Sequence, residues 1–212
     1  MKTNEHRTAA AVVVMGSVID QVNQAAAAGP ADDLISKIKS AADGIRGAAW
    51  QGAGSAGASA VRPLAAVMTD PSYEIARSAK RALWKVVHHA GRPGAEAERK
   101  AIQVELISLL KDPAAVVRRE ALWMLSEVGD TLAVPPMAAL LSDGEAREEA
   151  RCALLRLPGR EVTQALRGAF QTAPEDFKFA LAEALRQRGE TVAGYPTKKR
   201  TPSKPTGLKP LN

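Results

Sequence analysis

Apolar residues recur along this chain at three- and four-residue spacing, in blocks separated by Gly, Pro and Asp. The clearest block is DPAAVVRREALWMLSEVG at 112–129. Val116, Val117, Ala121, Met124, Leu125 and Val128 fall on one helical face. Asp112 suits an N-cap and Pro113 the first helical position, where no backbone donor is needed. Gly129 is expected to end the helix in the left-handed conformation that glycine adopts without a steric penalty. The remaining blocks form pairs: 31–41 with 44–56, 58–69 with 72–90, 95–111 with 113–128, 131–142 with 145–157, and 160–172 with 174–188. A two- or three-residue turn separates the members of a pair, commonly Asp followed by Gly or Pro. No run alternates Val, Ile, Thr and Tyr for more than a few residues, so strands are not expected.

Each second helix closes on a glycine: Gly57, Gly91, Gly129, Gly159 and Gly189. Their spacing of about 30 to 40 residues is the period of an α-solenoid. A base recurs upstream of these glycines, as Arg46, Lys80, Arg118, Arg147 and Lys178. On these residues the chain resembles the HEAT-like repeat family, including its short bacterial form and the repeats of bilin lyases. The family pattern, roughly D-x(n)-V-R-x-x-A-x-x-A-L, is matched by Asp112, Val117, Arg118, Ala121, Met124 and Leu125, and again by Ala146, Arg147, Ala150, Ala153 and Leu154. The resemblance covers about 31–189. It implies an all-α, right-handed α-α superhelix of about five helix pairs. It also implies that the turn residues Asp43, Asp70, Asp112 and Asp143 pair with bases on neighbouring helices. Two departures stand out. Gly44, Gly47, Gly52, Gly54 and Gly57 weaken the second helix of the first pair. Pro135-Pro136 should bend the first helix of the fourth.

The repeat region, 31–190, is flanked by two segments of different character. Residues 1–30 fit two descriptions. Lys2 and Arg7 precede a short apolar stretch and then small residues at 25–28, the outline of a secretory signal for an exported protein. Val12, Met15, Ile19 and Val22 are instead spaced for one face of an N-terminal capping helix, the reading adopted here together with a cytoplasmic location. Residues 191–212 contain four prolines and no acid, and are expected to be a disordered basic tail. That tail carries Lys198, Lys199, Arg200, Lys204 and Lys209. The chain's net charge of +6 therefore falls to 24 bases against 23 acids over 1–190, and the body is nearly neutral. Lys198, Lys199 and Arg200 are candidates for electrostatic contact with an acidic surface or nucleic acid. No apolar stretch is long enough to span a membrane. Cys152 is the only cysteine, which excludes an intrachain disulfide.

Candidate chemistry is sparse. His88 and His89 are adjacent, so on a helix they point about 100° apart and cannot share a metal as an i, i+4 pair would. Cys152 has no histidine near it and reads as a buried thiol. No phosphate-binding glycine loop, nucleophile elbow or zinc spacing is present, so neither a cofactor nor a metal is expected. What stands out instead is a surface. Arg77, Arg81, Trp84 and His88 share one stripe, opposite Ile75, Ala79, Ala82, Val86 and Ala90. Arg119, Trp123 and Ser126 lie off the core face of the next second helix. Trp50 stands seven residues before its closing glycine, as Trp84 does, and among so many glycines reads as a seam filler. In solenoids such helices line the concave face, and Trp and Arg are favoured in binding hot spots. A non-enzymatic scaffold is therefore expected, binding a protein partner through Trp84, Trp123, Arg77, Arg81 and Arg119. The alternative is nucleic-acid binding. HEAT-like DNA glycosylases use concave Trp and Arg residues with a catalytic Asp, but here no Asp stands on those stripes. Nor is there an identifiable pigment pocket of the kind a bilin lyase would need. Oligomeric state is not encoded in any of these patterns.

Overall fold

The computed structural model describes residues 29–197, so the segment 1–28 and the cluster Lys198, Lys199 and Arg200 lie outside the described residues. Among the described residues, ten α-helices form the five expected pairs: α1 (Pro30–Ile38) and α2 (Asp43–Gly52), α3 (Val61–Val67) and α4 (Tyr73–Ala90), α5 (Glu96–Leu109) and α6 (Ala115–Val128), α7 (Val134–Ala139) and α8 (Arg147–Arg156), α9 (Arg160–Thr172) and α10 (Glu175–Gln187). Successive second helices pack on one another from α2 through α4, α6 and α8 to α10, and each first helix packs on its own partner. The fold is an all-α solenoid of stacked helix pairs.

One continuous apolar core runs between the two layers. Ala79, Ala82, Leu83 and Val86 of α4, Leu122, Met124 and Leu125 of α6, and Ala150, Ala153 and Leu154 of α8 are each essentially inaccessible. Alanine at these seams lets adjacent helices approach closely. The i, i+3, i+4 spacing that marked these residues in sequence is the spacing that keeps them on one buried face.

Local details depart from expectation in instructive ways. Asp112 does not cap α6, which starts at Ala115. Its carboxylate accepts the Ala114 amide at 2.8 Å, shaping the turn two residues earlier. Val116, expected in the core, is 46% exposed. Gly129 is extended, with φ −73° and ψ 158°, rather than left-handed. Glycine is required there by close approach: a Cβ would sit 2.4 Å from the Leu125 carbonyl oxygen. Pro135 and Pro136 lie in the first turn of α7, where a missing N–H costs nothing. They start a short helix, flanked by 3₁₀ turns at Thr131–Ala133 and Leu140–Ser142, instead of bending a long one. The glycine-rich α2 runs into a 3₁₀ turn at Ala53–Ala56.

Residues 191–197, expected to be disordered, fold back over the last pair. The Arg186 guanidinium donates to the Val192, Gly194 and Tyr195 carbonyls at 3.3, 2.7 and 2.8 Å. The Tyr195 ring meets Phe170 and Phe179 edge-on, with centroids 5.3 and 5.2 Å away. The contacts of this segment run to Thr197, whose hydroxyl donates to Glu183 at 2.6 Å.

Candidate functional site: an aromatic and basic groove over α4

Burying Ala79, Ala82, Val86 and Ala90 of α4 turns the opposite stripe, Arg77, Arg81, Trp84, Lys85 and His88, to the surface. Trp50 of α2 and Val116 of α6 approach this stripe from either side. Together they enclose a groove of about 700 Å³. Tyr73, 72% exposed, lies at its rim on the first turn of α4, and the exposed Val116 lies on the other flank.

Trp84 is half-buried and packs against the core. Its indole Nε1 donates to Glu120 Oε2 of α6 at 3.0 Å, and its ring lies 5.2 Å from that of His88. The same carboxylate accepts from Lys80 Nζ through its other oxygen. Glu120 therefore fixes the Trp84 orientation and neutralises Lys80 at once. Trp50 has two roles: it packs against the core, as a seam filler would, and it lines the groove. The Arg81 guanidinium stands 5.0 Å from the Trp50 ring centroid, a cation–π contact between consecutive repeats. Arg77 lies 3.6 Å from Glu74 and 6.0 Å from the Tyr73 ring.

Three of the five residues expected on the partner surface, Arg77, Arg81 and Trp84, thus converge. Arg119 and Trp123 are placed elsewhere. Arg119 donates to the Glu145 carbonyl and lies 3.7 Å from Glu149, so it is engaged with the α8 region. Trp123 is half-buried on α6, outside the groove lining. Register explains the contrast between Arg81 and Arg119. Both stand ten residues before their closing glycine, and the residue in that register on α8 is Glu149. Arg119 therefore meets an acid on the next repeat. Arg81 has only Arg119 in the corresponding place, and it lies instead over Trp50 of the preceding repeat.

Of the recurring bases, Arg46 and Lys178 pair with Asp43 and Glu175 of their own helices, and the other three are struts. Lys80 reaches Glu120, Arg118 reaches Asp143 at 2.9 Å, and Arg147 reaches Asp176 at 2.6 Å, each from one second helix to the next repeat. Arg118 also donates to the Asp112 and Pro113 carbonyls, both at 2.9 Å. The expected pairing of turn aspartates with neighbouring bases holds at Asp143. Asp43 pairs with Arg46 of its own helix, while Asp70 and Asp112 accept from amides of their own turns. Hydrogen bonding from Arg147 holds the Asp176 carboxyl below its ordinary range.

Sequence reasoning missed the groove roles of Tyr73, Lys85 and Val116, and the dual role of Trp50. The repeated seven-residue offset of Trp50 and Trp84 from their glycines was the available signal. Cys152 is half-buried rather than buried, with the Arg151 guanidinium 3.2 Å from its sulfur. Among the described residues, no three His, Cys, Asp or Glu side chains form a cluster suited to a metal, and no helix is long and apolar enough to cross a membrane.

Residues 102–186 match the family model for HEAT repeats. None of the curated proteins matches the chain. HEAT repeats commonly serve as protein-interaction scaffolds and are generally non-catalytic. The matched stretch takes in most of α5, all of α6 to α9 and nearly all of α10, while the groove is built mainly from the second pair and Trp50, outside it.

Proposed function

We propose that this HEAT-repeat chain is a non-enzymatic scaffold that docks a segment of a protein partner in the groove over α4, on the concave side of the solenoid. The observation that carries this reading is the convergence of Trp50, Trp84, Arg77 and Arg81 around one open volume of about 700 Å³. Aromatic and arginine side chains are the types that dominate binding energy at interfaces, and a volume of this size accommodates several side chains of a docked segment. Trp84 enters the groove with its indole already oriented by Glu120, so binding need not order it. Trp123 and Arg119 extend the same helical layer toward α8 and would contact a longer partner rather than its anchor.

The test compares Trp84→Ala with Trp123→Ala in partner binding, with circular dichroism as the control. Trp84→Ala should lower affinity at least tenfold while helicity is retained, and Trp123→Ala should lower it less. Equal affinities for wild type and Trp84→Ala would sink the groove as the docking site.

A further inference from the structure

The charges in the groove identify the kind of segment it accepts, an inference that rests on the docking reading above. Arg77, Lys80, Arg81 and Lys85 line the groove, and no carboxylate does. Two of these cations are already engaged: Lys80 by Glu120, and Arg77, more distantly, by Glu74. Arg81 and Lys85 have no ion-pair partner among the described residues, and Arg81 faces the Trp50 ring. An exposed cation beside an aromatic wall is an uncommitted charge. When a ligand covers that wall and excludes water, the effective dielectric falls and a carboxylate meeting the cation gains more than it would on open surface.

We propose that the groove binds an acidic peptide segment of a partner protein. One apolar or aromatic side chain sits against Trp50 and Trp84, and flanking carboxylates meet Arg81, Lys85 and Arg77. The chain's own C-terminal segment is a poor occupant, because it carries Lys198, Lys199, Arg200, Lys204 and Lys209 and no acid, the same sign as the groove. Nucleic acid is the less suited polyanion. It rewards a row of free cations along a face, yet past α4 the bases Arg118, Arg119 and Arg147 are held by Asp143, Glu149 and Asp176.

Fluorescein-labelled peptides of about twelve residues with a central Leu-Phe pair provide the probe. One is flanked by Asp and Glu, one by Asn and Gln, one by Lys and Arg. Fluorescence anisotropy at about 50 and 200 mM salt gives the affinities. The acidic peptide should bind at least tenfold more tightly than the neutral one, with the basic peptide weakest. Arg81→Glu with Lys85→Glu should reverse the order of acidic and basic peptides, and Trp84→Ala should weaken the acidic and neutral peptides alike. If Arg81→Glu disturbs the Trp50 contact, Lys85→Glu alone keeps the test, since Lys85 has no ion pair to lose among the described residues. Equal affinity for acidic and neutral peptides, both lost in Trp84→Ala, would overturn the acidic assignment and leave the docking groove standing. Binding of all three that ignores Trp84 would overturn both. Displacement of the acidic peptide by single-stranded or duplex DNA, with DNA affinity falling steeply between the two salt concentrations, would assign the groove to nucleic acid and overturn the proposal.

Discussion

The repeats at 102–186 and the stretch from Trp50 to Ala90 share a helix-pair plan and differ in what their cations do. In the first, Arg118, Arg119, Arg147, Arg151 and Arg156 each have a carboxylate within ion-pairing distance. In the second, Lys80 and Arg62 reach Glu120 and Glu105 of the following repeat, and Arg81 and Lys85 have no ion-pair partner among the described residues. The difference is one of complement rather than residue type. A base in a repeating register is structural when the next repeat offers an acid in reach, as Glu149 does for Arg119. It is available when the next repeat offers another base, as Arg119 does for Arg81. Abundance of arginine therefore says little about function in a solenoid, whereas a break in the pairing pattern says where to look.

Removing Arg118 and removing Arg81 should separate these roles by the widest margin. Arg118 is nearly covered, with 12% of its side chain exposed, and its loss strands Asp143 and the two turn carbonyls. Arg118→Ala should cost about 2–3 kcal/mol in urea unfolding. Arg81→Ala gives up an exposed cation–π contact and should cost less than about 1 kcal/mol, while weakening the acidic peptide several-fold. Comparable stability losses in the two variants would erase the distinction between strut and free cation.

How much of this could be read from sequence follows the same line. The ten helices were legible because apolar periodicity, turn aspartates and closing glycines all marked the same boundaries. The stripe Arg77, Arg81, Trp84 was legible because the core side of α4 was already filled by alanine and valine. What was not legible depended on neighbours distant in the chain. Glu120 lies 36 residues from Trp84, and only the stacking of α4 on α6 brings them together. Val116 fits the apolar period of α6, but it precedes the point where the core closes over that helix, so it flanks the groove. The packing of residues 191–197 was not legible because the composition of the whole tail hides two apolar contacts, Tyr195 and Val192, behind its prolines and lysines.

The closing glycines offer a second comparison between the two stretches. A Cβ at Gly129 would lie 2.4 Å from the Leu125 carbonyl oxygen, a backbone atom that cannot give way, whereas at Gly91 the nearest atom, the His88 carbonyl oxygen, is 3.4 Å away. Gly129→Ala should therefore cost about 1–3 kcal/mol and Gly91→Ala clearly less, measured by chemical unfolding of each variant. Equal costs would mean that the α6 exit is no more constrained than the α4 exit.

Glu120 joins the two stretches and allows a finer test. Glu120→Gln keeps an oxygen for the Trp84 indole but removes the charge that neutralises Lys80. Stability should fall by less than about 1 kcal/mol, since Lys80 is largely exposed. The freed Lys80 should tighten the acidic peptide by roughly two- to threefold, in keeping with a single rim charge. Weaker binding in this variant would mean that the carboxylate matters more for holding Trp84 than for masking Lys80.

The smallest effect should appear in acid, and it belongs to the strut region. Asp130 enters the fourth repeat with its carboxylate accepting from the buried Gln103 side chain at 2.7 Å and from the Leu132 amide at 2.9 Å. These bonds, the Gln103 one first, hold its pKa below the ordinary carboxylate range, aided by Lys100 and Arg99. Because the folded pKa lies below the unfolded value of about 4, this contribution to stability is fully present above that value and is lost as pH falls through the folded pKa. Asp130→Asn retains an acceptor oxygen but has no charge to lose. The melting temperature of wild type should therefore exceed that of Asp130→Asn at pH 7, and the gap should narrow steadily below about pH 4. A gap that stays constant down to about pH 3 would show that the carboxylate's charge contributes nothing to the α5–α7 junction.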